Sequence, residues 1–263
     1  MRIRQEQAFK PGYNPITDRS TLYPDMLMDF GIYALNAGMA VENADPLERA
    51  YLLIQGKVTF QWEGHTVEAA RTNCFDENPW CLHVPAGVAV TLTCHSDDTE
   101  IALQATENEA SFPPVFYDPK AVRSEMRGAG TMKETSTRNV RTIFDMSNAP
   151  DAKLVLGEVI GYPGKWSSYP PHHHPQPEIY FYKFYPEQGY GFSELGEEAI
   201  KLRNNDTVLV REGQTHPQTT APGYAIYYLW VIRHLDDNPY ITPTFLEEHK
   251  WVMDSKAKIW PDK

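Results

Sequence analysis

At 263 residues the chain can form one large domain or two of ordinary size, and its 41% hydrophobic and 12% aromatic content suits a substantial core. A formal net charge of −11 argues against a nucleic-acid partner, whose phosphates demand clustered Lys and Arg. Met1-Arg2-Ile3-Arg4 opens no apolar run of signal-peptide length, and no later stretch reaches the roughly 18 apolar residues of a membrane span. Cys74, Cys81 and Cys94 are odd in number and lack metal-type CxxC spacing, so the expectation is a reduced, cytoplasmic protein.

In chain order, the first thirty residues show no sustained period and read as a surface arm. Residues 50–56 form a buried strand ending in a turn at Gly56, and residues 57–62 alternate as the next strand. Glu63-Gly64 then turns the chain into His65-Thr66-Val67. Strands over 81–84, 88–93 and 100–105, spaced by the turn Pro85-Ala86-Gly87, predict a β-sandwich or barrel. Residues 113–135, with Pro113-Pro114 and Gly128-Ala129-Gly130, read as a connection. Strand texture resumes over 139–144, 154–160, 207–210 and 225–232. The two halves share a rhythm, which predicts a duplicated barrel divided as 1–112, 113–135 and 136–263.

The chemistry concentrates in Tyr169-Pro170-Pro171-His172-His173-His174-Pro175-Gln176-Pro177-Glu178. Residues two apart on an extended strand share a face, so His172 and His174 converge while His173 points away. Glu178 follows four residues later, and Arg211-Glu212-Gly213-Gln214-Thr215 turns directly into His216. Three imidazoles and one carboxylate suit a divalent transition metal, and manganese, zinc, iron and nickel all accept this set. Parity from Glu178 puts Tyr180, Tyr182 and Phe184 on the cavity face, so Tyr180 and Tyr182 are candidates to bond substrate oxygens or relay protons. Ordinary core packing accounts for both tyrosines equally well. Glu158, in an apolar strand, is a candidate base or a structural carboxylate, and Lys165 or Arg211 a candidate partner for a substrate carboxylate.

These residues resemble the cupin superfamily, with His172-x-His174-x3-Glu178 as a first motif and Gly213 with His216 in a second. Arg211 stands where that superfamily usually has Pro, and Asn205 where it usually has Gly; Asn tolerates the left-handed turn conformation. Pro85-Ala86-Gly87 matches the second motif in the first half, but Val90 occupies the histidine position. Pro163-Gly164-Lys165-Trp166-Ser167-Ser168-Tyr169-Pro170-Pro171-His172, with Pro186-Glu187-Gln188-Gly189-Tyr190-Gly191-Phe192, is similar to the 5-deoxy-glucuronate isomerase family of myo-inositol catabolism. That family usually has a longer acidic loop between HxH and the glutamate than Pro175-Gln176-Pro177.

The resemblance implies an all-β bicupin of two double-stranded β-helix (jelly-roll) barrels, with the metal in the C-terminal one and a homo-oligomeric state. It further implies an aldose–ketose isomerase acting on a small sugar acid, 5-deoxy-glucuronate to 2-deoxy-5-keto-gluconate. Three other readings stay open: an isomerase on another uronate of the hexosulose-uronate type, a cupin dioxygenase, and a non-catalytic sugar-binding cupin.

Overall fold

In the computed structural model residues 1–262 are described; Lys263, the last residue of the expected C-terminal barrel, lies outside them. The described residues form antiparallel strands with three short 3-10 segments, Pro24–Met26, Met132–Glu134 and Glu247–Met253. None of their helices is long and apolar enough to cross a membrane.

One compact unit comprises Glu6–Arg123 with Ile143–Val155. Its central strand is Glu48–Trp62, whose first half pairs with Trp80–Val84 and Thr99–Thr106 and whose second half pairs with His65–Arg71 and Val90–Cys94. The turn expected at Gly56 is instead a bend inside one continuous strand, with a bulge between Leu53 and Gln55. Ladder bonds on both sides of the bend keep the backbone extended, and non-local pairing overrides the local turn signal. Gly56 is required there: its φ is +109°, and an added Cβ would lie 2.2 Å from Thr99 Oγ1. The interior is apolar, with Tyr51, Leu53, Phe60, Trp62, Leu82 and Val90 all buried.

The second unit comprises Met1–Gln5, Ser124–Thr142 and the described chain from Leu156 onward. The units therefore exchange segments, whereas the sequence reading cut the chain after 112 and 135, because strand pairing rather than chain order decides where a segment packs. The expected surface arm is partly structural: Arg2 and Ile3 pair with Val208 and Thr207, and Gly12–Thr17 pairs with Asp29–Leu35 in the first unit. The Arg4 guanidinium holds buried Asp206 at 2.9 Å. The expected connection also contains strands: Val115–Tyr117 pairs with residues 81–83, and Arg123–Arg127 forms a sheet edge.

The main sheet of the second unit runs in the order Arg2–Ile3, Thr207–Val210, Glu178–Tyr185, Ala225–Arg233, Leu154–Gly161, Arg138–Phe144, Arg123–Arg127. A four-stranded sheet, Trp166–Ser167, Gln218–Thr220, Tyr190–Leu195 and Glu198–Arg203, accompanies it. Tyr180, Tyr182 and Phe184 alternate into the interior cluster, with Val208, Val210, Ile226 and Tyr228. Gly56→Ala is expected to lower stability by about 2 kcal/mol through the left-handed backbone and the Thr99 clash. Denaturant unfolding checks this; a midpoint within error of wild type would contradict the role of the bend.

Candidate metal centre

The Glu178 side chain enters the interior because its strand is locked on both sides, Glu178 lying opposite Val210 on one neighbour and Ile232 on the other. Its Oε2 lies 3.1 Å from His174 Nε2 and 3.4 Å from His216 Nε2. Ligand atoms of these three buried residues all lie within 4.8 Å of one another. His172 completes the cluster edge-on, its ring centroid 4.7 Å from that of His216. Of the four residues singled out from the motif spacing, the structure gathers the ligand atoms of His174, Glu178 and His216, with the His172 ring against His216.

Each histidine is oriented by a carbonyl two residues away. Nδ1–H donates to Pro170 O from His172, to Gln176 O from His174 and to Gln214 O from His216, all at 2.9 Å. Committing Nδ1 as donor leaves Nε2 of a neutral ring as a lone pair. The Pro175-Gln176-Pro177 bend that replaces a longer loop supplies one of these carbonyls. The Arg211–Gln214 turn supplies another, closed by Gln214 N–H to Arg211 O at 3.1 Å and by Arg211 N–H to Gln214 Oε1 at 2.9 Å. Asn205 adopts the left-handed conformation, φ 64°, that its place in the motif demands.

Burial, with a smaller contribution from the neighbouring histidines, pulls the His172 and His216 pKa values down to about 3. The neutral His216 ring aims its Nε2 lone pair at Glu178 Oε2, 3.4 Å away, and this buried Nε2 has no hydrogen-bond partner. That donor set fits a divalent cation, which would reconcile the Nε2 atoms with Glu178 Oε2.

Burial pushes the hydroxyl pKa values of Tyr180, Tyr182 and Tyr228 up, so these groups stay protonated. Tyr180 stands beside His216, ring centroids 5.8 Å apart. Tyr182 O–H donates to Gln218 Oε1 at 2.5 Å, and Gln218 Nε2–H donates to Ser168 Oγ at 3.4 Å. Tyr228 meets the hydroxyls of Ser167 at 2.5 Å and Ser168 at 3.4 Å.

Glu158 does not join them. Tyr227, whose hydroxyl donates to Glu158 Oε1 at 2.7 Å, lies opposite Lys183 and so on the other face of the sheet from Tyr182 and Tyr228. Arg141 holds the other carboxylate oxygen at 3.4 Å. The structure places Glu158 in a buried polar cluster behind the interior face, not among the histidines.

Sequence reasoning missed the cover of the site. Thr244–Phe245 pairs with His172–His173, and the Phe245 ring packs against His172 at 5.3 Å. The Tyr240 ring packs on His174 at 5.0 Å, and Gln176 Nε2–H donates to Asn238 O at 2.8 Å. Aromatic residues in a Pro-rich segment without a period carried the only available signal.

The KduI/IolB family profile matches residues 3–252. The 5-deoxy-glucuronate isomerase of Geobacillus thermodenitrificans (strain NG80-2) is 31% identical over 252 residues, covering 86% of each chain. That of Lacticaseibacillus casei is 29% identical, over 81% of this chain and 82% of its own. An IolB-like protein from Salmonella typhimurium LT2 superposes with a TM-score of 0.84 at 23% identity, over 94% of this chain and 97% of that one. A Lactobacillus farciminis oxalate decarboxylase formate complex gives a TM-score of 0.66 at 12% identity, over 92% and 86%. Both structural likenesses bear on fold, and they bear out the all-β bicupin.

In unfolded chains histidines titrate near 6.5, so between about pH 6.5 and 3 the unfolded state binds protons that half-buried His172 and buried His216 do not. Chelator-treated protein is therefore expected to lose stability as pH falls through that window. Denaturant midpoints at pH 7 and 4.5 measure the slope. His216→Gln should flatten it, and an unchanged slope would contradict the assigned burial.

With a family profile spanning nearly the whole chain and a relative more than 30% identical, this chain belongs to the KduI/IolB family, and it is an isomerase.

Proposed function

We propose that the protein is a metal-dependent aldose–ketose isomerase converting 5-deoxy-glucuronate to 2-deoxy-5-keto-gluconate in the cytoplasmic catabolism of inositol. The observation that carries the reading is the convergence of His172, His174, His216 and Glu178, with every Nδ1 committed to a carbonyl. The name shared by the relatives in Geobacillus and Lacticaseibacillus supports the substrate. Three buried cysteines, none of them in a disulfide, suit a reducing compartment.

The reaction moves one proton between adjacent carbons and one between their oxygens, and it needs no co-reactant. His172, His174, His216 and Glu178 would hold a divalent ion, which supplies Lewis-acid stabilisation of the negative charge developing on the sugar oxygens. Tyr180 and Tyr182 act as neutral hydrogen-bonding groups rather than bases, since burial disfavours their anions. Tyr180, beside His216, donates to a substrate oxygen. Gln218 fixes the Tyr182 hydroxyl, and Ser167 and Ser168 fix that of Tyr228. Phe245 and Tyr240 limit water around the histidines.

Proton NMR of metal-loaded protein with 5-deoxy-glucuronate tests the reading. Conversion to the ketose that stops on chelation and returns with metal is expected. No conversion with metal bound, or oxygen consumption during turnover, would contradict it. Tyr180→Phe should reduce kcat by roughly 100-fold, the effect of removing one donor to a developing oxyanion, and leave KM within a few-fold. A wild-type kcat would return Tyr180 to a packing role.

A further inference from the structure

Arg138 lies beside the interior tyrosines of the second unit without a carboxylate partner among the described residues. Arg138 opens the strand Arg138–Phe144, and Val140, two residues on, belongs to the interior cluster with Tyr180, Tyr182 and Tyr228. Parity places Arg138 on the same interior face, while Arg141, on the other, is paired with Glu158.

The Arg138 guanidinium is anchored rather than neutralised. Its Nη1 donates to Ser136 O at 2.7 Å and to Ser136 Oγ at 2.9 Å, and Nη2 reaches Tyr169 O at 3.5 Å. Tyr169 precedes His172 by three residues, so the segment leading into the histidines also anchors Arg138. Arg4, Arg19, Arg123, Arg127, Arg141 and Arg233 pair with a carboxylate, whereas fully buried Arg49, in the other unit, is held by Leu47 O, Asn43 and Val88 O. Among the described residues no carboxylate pairs with Arg138.

A guanidinium largely removed from water without a counter-ion is costly unless a partner arrives in function. Burial holds its pKa down, and the neighbours that act on it electrostatically are Tyr228, Arg127 and Tyr180. Tyr180 also flanks His216. The same tyrosines therefore separate an unpaired cation from the histidine–glutamate cluster. A sugar acid has the matching polarity: a carboxylate at one end, and a carbonyl with its neighbouring hydroxyl at the other.

We propose that Arg138 binds the carboxylate of the sugar-acid substrate and thereby sets which end of the chain meets the histidine cluster. This rests on the isomerase reading above and names the specificity residue within it. The planar fork, held by Ser136 and Tyr169, suits bidentate carboxylate recognition better than a lysine would.

Arg138→Gln and Arg138→Lys, each verified for folding and metal content, are compared with wild type on two substrates. One is 5-deoxy-glucuronate; the other is 5-deoxy-glucose, the same aldose with a hydroxymethyl group replacing the carboxylate. The neutral sugar is measured as a substrate or, where it is not turned over, as a competitive inhibitor. Wild type should prefer the acid. Arg138→Gln should lose roughly 10- to 100-fold in kcat/KM on the acid, mainly through KM, and change little toward the neutral sugar. Arg138→Lys should recover part of the loss.

A folded, metal-loaded Arg138→Gln that keeps the wild-type preference, or weakens equally toward both sugars, would overturn the proposal and leave the isomerase reading intact. A metal-loaded wild type inactive on the acid would remove that reading, and this proposal with it.

Discussion

Everything at the centre depends on three short hydrogen bonds that do not touch the substrate. Each candidate ligand histidine spends its Nδ1–H on a backbone carbonyl two residues away in sequence. That fixes ring orientation and tautomer together, leaving Nε2 as an acceptor aimed at the interior. The carbonyls come from the segment before His172, from the Pro175-Gln176-Pro177 bend and from the Arg211–Gln214 turn. Two apparent departures, the loop shorter than the isomerase family's and the turn altered from the cupin motif, are therefore working parts of the site.

The barrel around this point is built largely of buried aromatic and aliphatic side chains. Tyrosines, not carboxylates, line the floor, and their hydroxyls are held protonated by burial and oriented by Gln218, Ser167 and Ser168. The interior cluster of the first unit is apolar instead, and Val90 is buried within it. One barrel has an interior suited to polar chemistry; the other is core.

How much of this was legible follows from the range of the interactions. His172, His174 and Glu178 converge through two-residue parity and short spacing, which a sequence displays directly, and Tyr180 and Tyr182 follow from the same parity. Glu158 could not be placed, because its face depends on register against Ala225–Arg233, a pairing the local pattern does not reveal. Tyr240 and Phe245 escaped for a related reason: they reach the histidines through a pairing far apart in the chain, from a segment without a period. Arg138 reads locally as an ordinary strand-opening residue, and its place beside Tyr180 and Tyr228 without a carboxylate partner emerges only from the fold. At Gly56 the local signal misled, since non-local ladders carried the strand through a glycine that alone would suggest a turn.

The central claim, that these rings are arranged around a cation, is tested most directly by anomalous diffraction from crystals of metal-loaded protein. The account requires one ion per chain, bound by Nε2 of His172, His174 and His216 and by the Glu178 carboxylate. An ion bound elsewhere at full occupancy, with the four side chains keeping their present hydrogen bonds and no ion between them, would contradict it.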